Sequence, residues 1–185
     1  MAIPNFDHNK VLPPHIGDPR RMQDLSPYPC STLDLCQKFA TSIERIRILE
    51  GFLSFRQQMF AFNISNGFQW LDGSFMEDVE HLENRAPNDI DIVTFYMGMP
   101  RFQYSVIQAK FPEFISRDLS KSKYLVDHFG VDCSYRPDFI VEATRYWIQL
   151  FTHNRHRVWK GMLRLELNTP DDDQAALNYL KAVSL

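Results

Sequence analysis

Apolar residues recur at three- and four-residue steps through Ile46, Leu49, Phe52, Leu53, Met59 and Phe60. That spacing predicts a helix over roughly 42–62 with one buried face. Thr41 and Glu44 stand at capping-box spacing at its start. Just upstream, Ser31 or Thr32 is placed to cap a shorter helix reaching about Ala40. After the turn signal Asn66-Gly67 the period changes. Residues 68–71 read as a short strand and 90–96 as a second, buried one, with a polar, acidic loop over about 75–88 between them. Residues 102–114 read as a helix interrupted near Pro112, and 124–135 as a strand in which Gly130 permits a kink or bulge. Pro137 suits the first turn of a helix running to about Thr152, with Ile140, Ala143, Trp147, Leu150 and Phe151 inward. Residues 159–167 alternate as a strand, and Thr169-Pro170-Asp171 opens a last helix.

The order is helix, helix, strand, strand, helix, strand, helix, strand, helix. It predicts an α/β (α+β) domain, a mixed sheet flanked by helices, over residues 31–185. Residues 1–30 carry Pro4, Pro13, Pro14, Pro19, Pro27 and Pro29. That density forbids a continuous helix or a central strand and predicts an extended Pro-rich arm lying on the domain or on a partner.

The chain has 185 residues, 44% of them hydrophobic and 14% aromatic, which suffices for one domain with its own core. No apolar run is long enough to span a membrane, and the first residues lack the basic and apolar regions of a signal peptide. Cys30, Cys36 and Cys133 have no metal-ligand spacing, and with no secretion signal they point to a reducing cytoplasm. A net charge of -3 excludes a globally basic nucleic-acid binder.

The chemistry concentrates in Trp70-Leu71-Asp72-Gly73-Ser74 and Asp89-Ile90-Asp91-Ile92-Val93. A Gly-Ser turn at a strand end can hold phosphate. Asp89 and Asp91, two apart on a strand, point to one face, and hard oxygen donors so paired suit a divalent cation. Phosphate holder plus metal holder suggests chemistry on a nucleoside triphosphate. Gly73-Ser74, then Asp89-x-Asp91, then a later strand Asp resembles the signature of the polymerase-beta-like nucleotidyltransferase superfamily. The stretch from Gly67 to Phe95, with Tyr146-Trp147 and Lys160-Gly161 downstream, is similar to an uncharacterised bacterial family placed in that superfamily.

The resemblance implies a magnesium-dependent nucleotidyltransferase that moves a nucleoside monophosphate from a triphosphate, most plausibly ATP, to a protein or RNA hydroxyl. Asp89 and Asp91 would hold two Mg2+ ions, with a third carboxylate from a nearby strand. Gly73 would admit the backbone to the triphosphate and Ser74 would donate to it. The third carboxylate is Asp127 or Asp132, five apart and so on opposite faces of a regular strand, with Asp127 slightly preferred. Kinship also suggests a bacterial toxin–antitoxin or defence setting. From Gly67 to Asp91 seven acids face one Arg, so the triphosphate needs cations from elsewhere. Arg145, Arg155, Arg157, Lys160 and Arg164, with His153 and His156, form an acid-free run that would supply them if it folds back, with Lys160 foremost. Trp147 and Trp159 are candidate base-stacking rings. The alternative is a non-catalytic binding module of the same fold, docking a protein partner through the arm or the acidic 77–83 loop.

Overall fold

The computed structural model describes residues 3–183, so the first two residues of the arm and the last two of the domain lie outside it. Five strands form one mixed sheet: β1 Tyr28–Pro29, β2 Gly67–Asp72, β3 Ile90–Tyr96, β4 Val126–Asp132 and β5 Leu163–Glu166, in the order β1-β5-β2-β3-β4. The pairs β2–β3 and β2–β5 are antiparallel, while β1–β5 and β3–β4 are parallel. Seven α-helices flank it among the described residues: α1 Thr32–Phe39, α2 Ile43–Ala61, α3 Val79–Glu83, α4 Arg101–Lys110, α5 Arg117–Tyr124, α6 Pro137–Phe151 and α7 Pro170–Val183. None is long and apolar enough to cross a membrane.

The two-residue period of the strands divides the core. On one face Leu71, Ile90, Ile92, Val126, Leu163 and Leu165 meet Leu49, Phe52, Leu53 and Phe55 of α2, with α1 and α7 beside them. On the other, Trp70, Val93, Phe95 and Val131 meet Trp147 and Phe151 of α6. The larger face carries a buried polar chain at its centre. Arg56 of α2 pairs with Asp173 of α7 at 2.9 Å and donates to Gln69 Oε1 at 2.7 Å. Gln69 Nε2 donates to Thr94 Oγ1 at 3.0 Å, and His128 Nε2 lies 2.9 Å from the same hydroxyl. Burial pushes His128 down to about 3, so its ring is neutral. The chain ties β2, β3 and β4 to both helices.

Several expectations are corrected. The cap of α2 is Ser42, whose Oγ accepts from Arg45 N at 3.2 Å, in place of Thr41. Phe60 points to solvent, and the helix instead buries Arg45 and Arg56 with its apolar stripe. The acidic segment 75–88 is not a bare loop: a 3-10 turn over Ser74–Met76 and α3 bury Phe75, Met76 and Val79. The strand expected over 124–135 is shorter and follows a helix unforeseen in the sequence, α5, which ends where Leu125 turns left-handed at φ 56°. Gly130 makes no bulge, because β4 pairs with β3 without a break from Val126 to Asp132. The strand expected over 159–167 narrows to β5, since the approach to it pairs with the N-terminal segment (Gly161 N donates to Leu12 O at 2.7 Å). Leu150 of α6 is exposed.

The N-terminal segment lies on the domain, with Val11 and Leu12 fully buried, and reaches the sheet edge as β1. All three cysteines are free. Replacing Arg56 with Met leaves Asp173 buried and unpaired, so urea unfolding is expected to show a loss of about 3–5 kcal/mol. A loss under about 1 kcal/mol would mean that the polar chain does not hold the helices to the sheet.

Candidate functional site

Sheet register places three acids side by side. Asp72 at the end of β2 stands opposite Asp91 of β3, and Asp91 stands opposite Asp127 of β4. Residues paired in register share a face, and Asp89, two before Asp91, points the same way. Four carboxylates thus gather at one end of the α6 face, in a cleft of about 390 Å³. Asp132, at the far end of β4 opposite Tyr96, lines a different hollow with Met99, Arg101 and Tyr104. The unbroken strand turns it to the other face roughly 16 Å away. The register therefore brings Asp127 to the pair and keeps Asp132 from it.

Gly73 joins the row to its loop. Its φ of +85° is one that side chains rarely adopt, and an added Cβ would lie 1.8 Å from Asp91 Oδ2. Ser74, which opens the following 3-10 turn, lines the cleft beside it. Arg45 of α2 holds that loop from below, donating to the carbonyls of Phe75 and Glu77 at 2.7 Å and pairing with Glu80 at 2.6 Å.

The basic run does fold back. His153, Asn154, Arg155 and His156, just after α6, and Lys160 line the same cleft. Lys160 is buried, with Nζ 2.7 Å from Glu77 Oε1, 3.0 Å from Asp72 Oδ1 and 3.2 Å from the Gly73 carbonyl. Burial opposes its charge, and the Asp72 and Glu77 carboxylates outweigh burial and hold its pKa above the ordinary lysine range. Its ammonium is shared among these oxygens, and burial still pushes Asp72 up to about 7. Arg145 and Arg164 are spent elsewhere, on Glu142 and Glu166. Trp159 is half-exposed beside His15.

Two further cations come from α5. Arg117 grips Asp127 with two hydrogen bonds, at 2.5 and 2.6 Å. One turn on, Lys121 pairs with Asp89 and stands 3.5 Å from Asp127 Oδ2. Both side chains remain about half-exposed. Sequence reading missed them; the signal was Arg117 and Lys121 at i,i+4 after Ser116, which puts both on one helix face. Asp91 is left with the weakest compensation. Burial first, then the Asp89 and Asp127 charges, push it up to about 6.

Six carboxylates and five Lys or Arg side chains line the cleft, so the charge deficit expected from the acidic stretch is largely offset. The 77–83 acids are mostly engaged within the chain, Glu77 by Lys160, Asp78 by Lys10 at 3.5 Å and Glu80 by Arg45. The oxygen donors Asp89, Asp91 and Asp127 fit a hard divalent cation in chemistry. In arrangement, no group of three or more His, Cys, Asp or Glu among the described residues is gathered to hold a metal, and Arg117 and Lys121 pair with two of the three carboxylates.

Two outcomes follow from this geometry. Gly73→Ala is expected to cost about 1–3 kcal/mol in urea unfolding through its left-handed backbone and the clash with Asp91; an unchanged midpoint would mean that the turn is not constrained as described. Asp91 is an acid whose folded pKa, about 6, lies above its ordinary 3.8, so its ionisation weakens the fold as pH rises between those values. Asp91→Asn in metal-free buffer is therefore expected to stabilise by about 2 kcal/mol at pH 7.5, with the gain gone below about pH 4. A destabilised variant at pH 7.5 would contradict the crowding of charge.

The sequence model of a family of unknown function, DUF6932, matches residues 4–166. Neither the curated proteins nor the solved structures contain a match to the chain.

Proposed function

The chain belongs to this family of unknown function (DUF6932), and from its cleft we propose a metal-dependent nucleotidyltransferase of the polymerase-beta-like kind. The observation that carries the reading is the in-register row Asp72, Asp91 and Asp127 with Asp89 beside it, next to the Gly73-Ser74 turn. In this reading a nucleoside triphosphate, ATP first, lays its phosphates along that turn, where Gly73 has no Cβ to block them. Asp89, Asp91 and Asp127 would hold Mg2+. Such an ion would supply Lewis acidity toward an acceptor hydroxyl and toward departing pyrophosphate. The acceptor hydroxyl of a protein or RNA gives up its proton to solvent as its oxygen attacks the α-phosphorus in line, the bond to pyrophosphate breaks, and the nucleoside monophosphate stays on the acceptor oxygen.

Arg117 and Lys121 serve two states. Without ligand they neutralise Asp127 and Asp89. With ligand their long, half-exposed side chains turn to the phosphate oxygens, to which a guanidinium binds in a fork. Lys160 stays in place and keeps the Gly73 carbonyl, Asp72 and Glu77 together. Its role is to position the turn, with triphosphate contact left to α5 and Arg155.

One observation favours a second reading. The pairing of Asp89 and Asp127 with Lys121 and Arg117 neutralises both carboxylates without any metal. A binding module that recognises a nucleotide or a protein without turnover is consistent with that.

The two readings part in one assay. The chain is incubated with each α-labelled nucleoside triphosphate, Mg2+ and cell lysate. Transfer of label is expected from the wild type, with a loss of at least about 100-fold in Asp91→Asn and about 10- to 100-fold in Arg117→Ala. Absence of label alongside Mg2+-dependent nucleotide binding would establish the binding module instead.

A further inference from the structure

Arg117 lines a second cavity as well as the acidic cleft. That cavity, about 480 Å³, lies between α6 and the outer part of β4. Its walls are mainly rings, Phe129 of β4 and Trp147, Tyr146 and Phe139 of α6, with Ala143 as the small residue that α6 contributes. Phe129 and Trp147 stand 4.7 Å apart, centroid to centroid. The Arg117 guanidinium lies 5.4 Å from the Phe129 centroid while it grips Asp127. Asp127 and Phe129 are two apart on one strand, hence on one face and about 7 Å from each other.

We propose that this aromatic cavity is the ring subsite of the cleft's ligand, and that it takes the planar heterocycle of a nucleoside polyphosphate. The inference rests on the nucleotide reading above and extends it to the base. Three observations support it. The two cavities share one cation in their walls, so a ligand that is anionic at one end and flat and apolar at the other meets complementary surfaces on the two sides of Arg117. The separation of Asp127 from Phe129 is of the order that a pentose spans between a base and its first phosphate. β4 is the last strand of the sheet, and no strand among the described residues pairs with its outer edge. Gly130 is exposed there, so backbone donors and acceptors stand beside the ring walls, where the polar rim of a heterocycle can use them. A purely aliphatic ligand would leave that edge and Arg117 unmatched. A free polyphosphate would leave the rings unused.

The test compares ATP with inorganic tripolyphosphate, each with Mg2+, by calorimetric titration of the full chain. The variants are Tyr146→Ala, Phe139→Ala and Ala143→Phe. The first two remove exposed rings at little risk to the fold, and the third fills the cavity. ATP is expected to bind at least about tenfold more tightly than tripolyphosphate, and each variant to weaken ATP about tenfold while leaving tripolyphosphate unchanged. Equal binding of ATP and tripolyphosphate, or variants that weaken both alike, would overturn the ring subsite and leave the phosphate site standing. Binding of neither would overturn the subsite together with the nucleotide reading beneath it. Should Ala143→Phe fail to fold, Tyr146→Ala decides alone.

Discussion

Three carboxylates stand level with one another at the end of three adjacent strands, and the surrounding structure is arranged to answer their repulsion. Asp72, Asp91 and Asp127 are brought together by sheet register, which admits no partial adjustment: a slip of one residue would turn each acid to the opposite face. Their counter-charges come from distant parts of the chain. Lys160 arrives from the approach to β5, and Arg117 and Lys121 from α5. The placing of Lys160 then propagates outward. The next residue, Gly161, bonds to Leu12, which fixes the N-terminal segment, and Glu77 closes the loop that begins at Gly73. Charge balance at one strand end thus organises the loop, the N-terminal segment and the turn after α6.

The opposite face of the sheet is built on another principle. There most of the polar groups are paired: Arg56 meets Asp173, Gln69 and Thr169, Gln69 donates to Thr94, and His128 Nε2 meets the same Thr94 hydroxyl. A buried network so largely paired gives a rigid floor. The acidic row on the other face is incompletely compensated, as the raised Asp91 and Asp72 carboxyls indicate. Unmet charge in a cleft over a rigid floor is the usual physical mark of a ligand site.

Much of the fold was legible because periodicity and caps spoke plainly. β3 occupies the residues its apolar run implies, and α6 and α7 begin at the prolines that suit a first helical turn. α5 was not legible: only Ser120 and Tyr124 of it are buried, so its sequence shows almost no apolar stripe. Missing α5 concealed Arg117 and Lys121. The segment 75–88 looked like a loop because its acids outnumber its apolar residues, yet Phe75, Met76 and Val79 carry it into the core. In the cleft, spacing together with the family resemblance singled out Asp89, Asp91, Gly73 and Ser74, and all four line it. Choosing Asp127 over Asp132 required knowing that Gly130 leaves the strand straight. The burial of Lys160 was beyond sequence, since both its acidic partners lie more than 80 residues away.

The central claim is that the acidic row accepts divalent metal once polyphosphate draws Arg117 and Lys121 aside. Free Mn2+ measured by its electron paramagnetic resonance signal tests this directly, with the chain titrated alone and then with a non-hydrolysable ATP analogue. The account predicts weak uptake by the chain alone, strong uptake with the analogue beyond what the analogue binds by itself, and loss of that excess in Asp91→Asn. Equal free Mn2+ with and without the protein, analogue present, would contradict it.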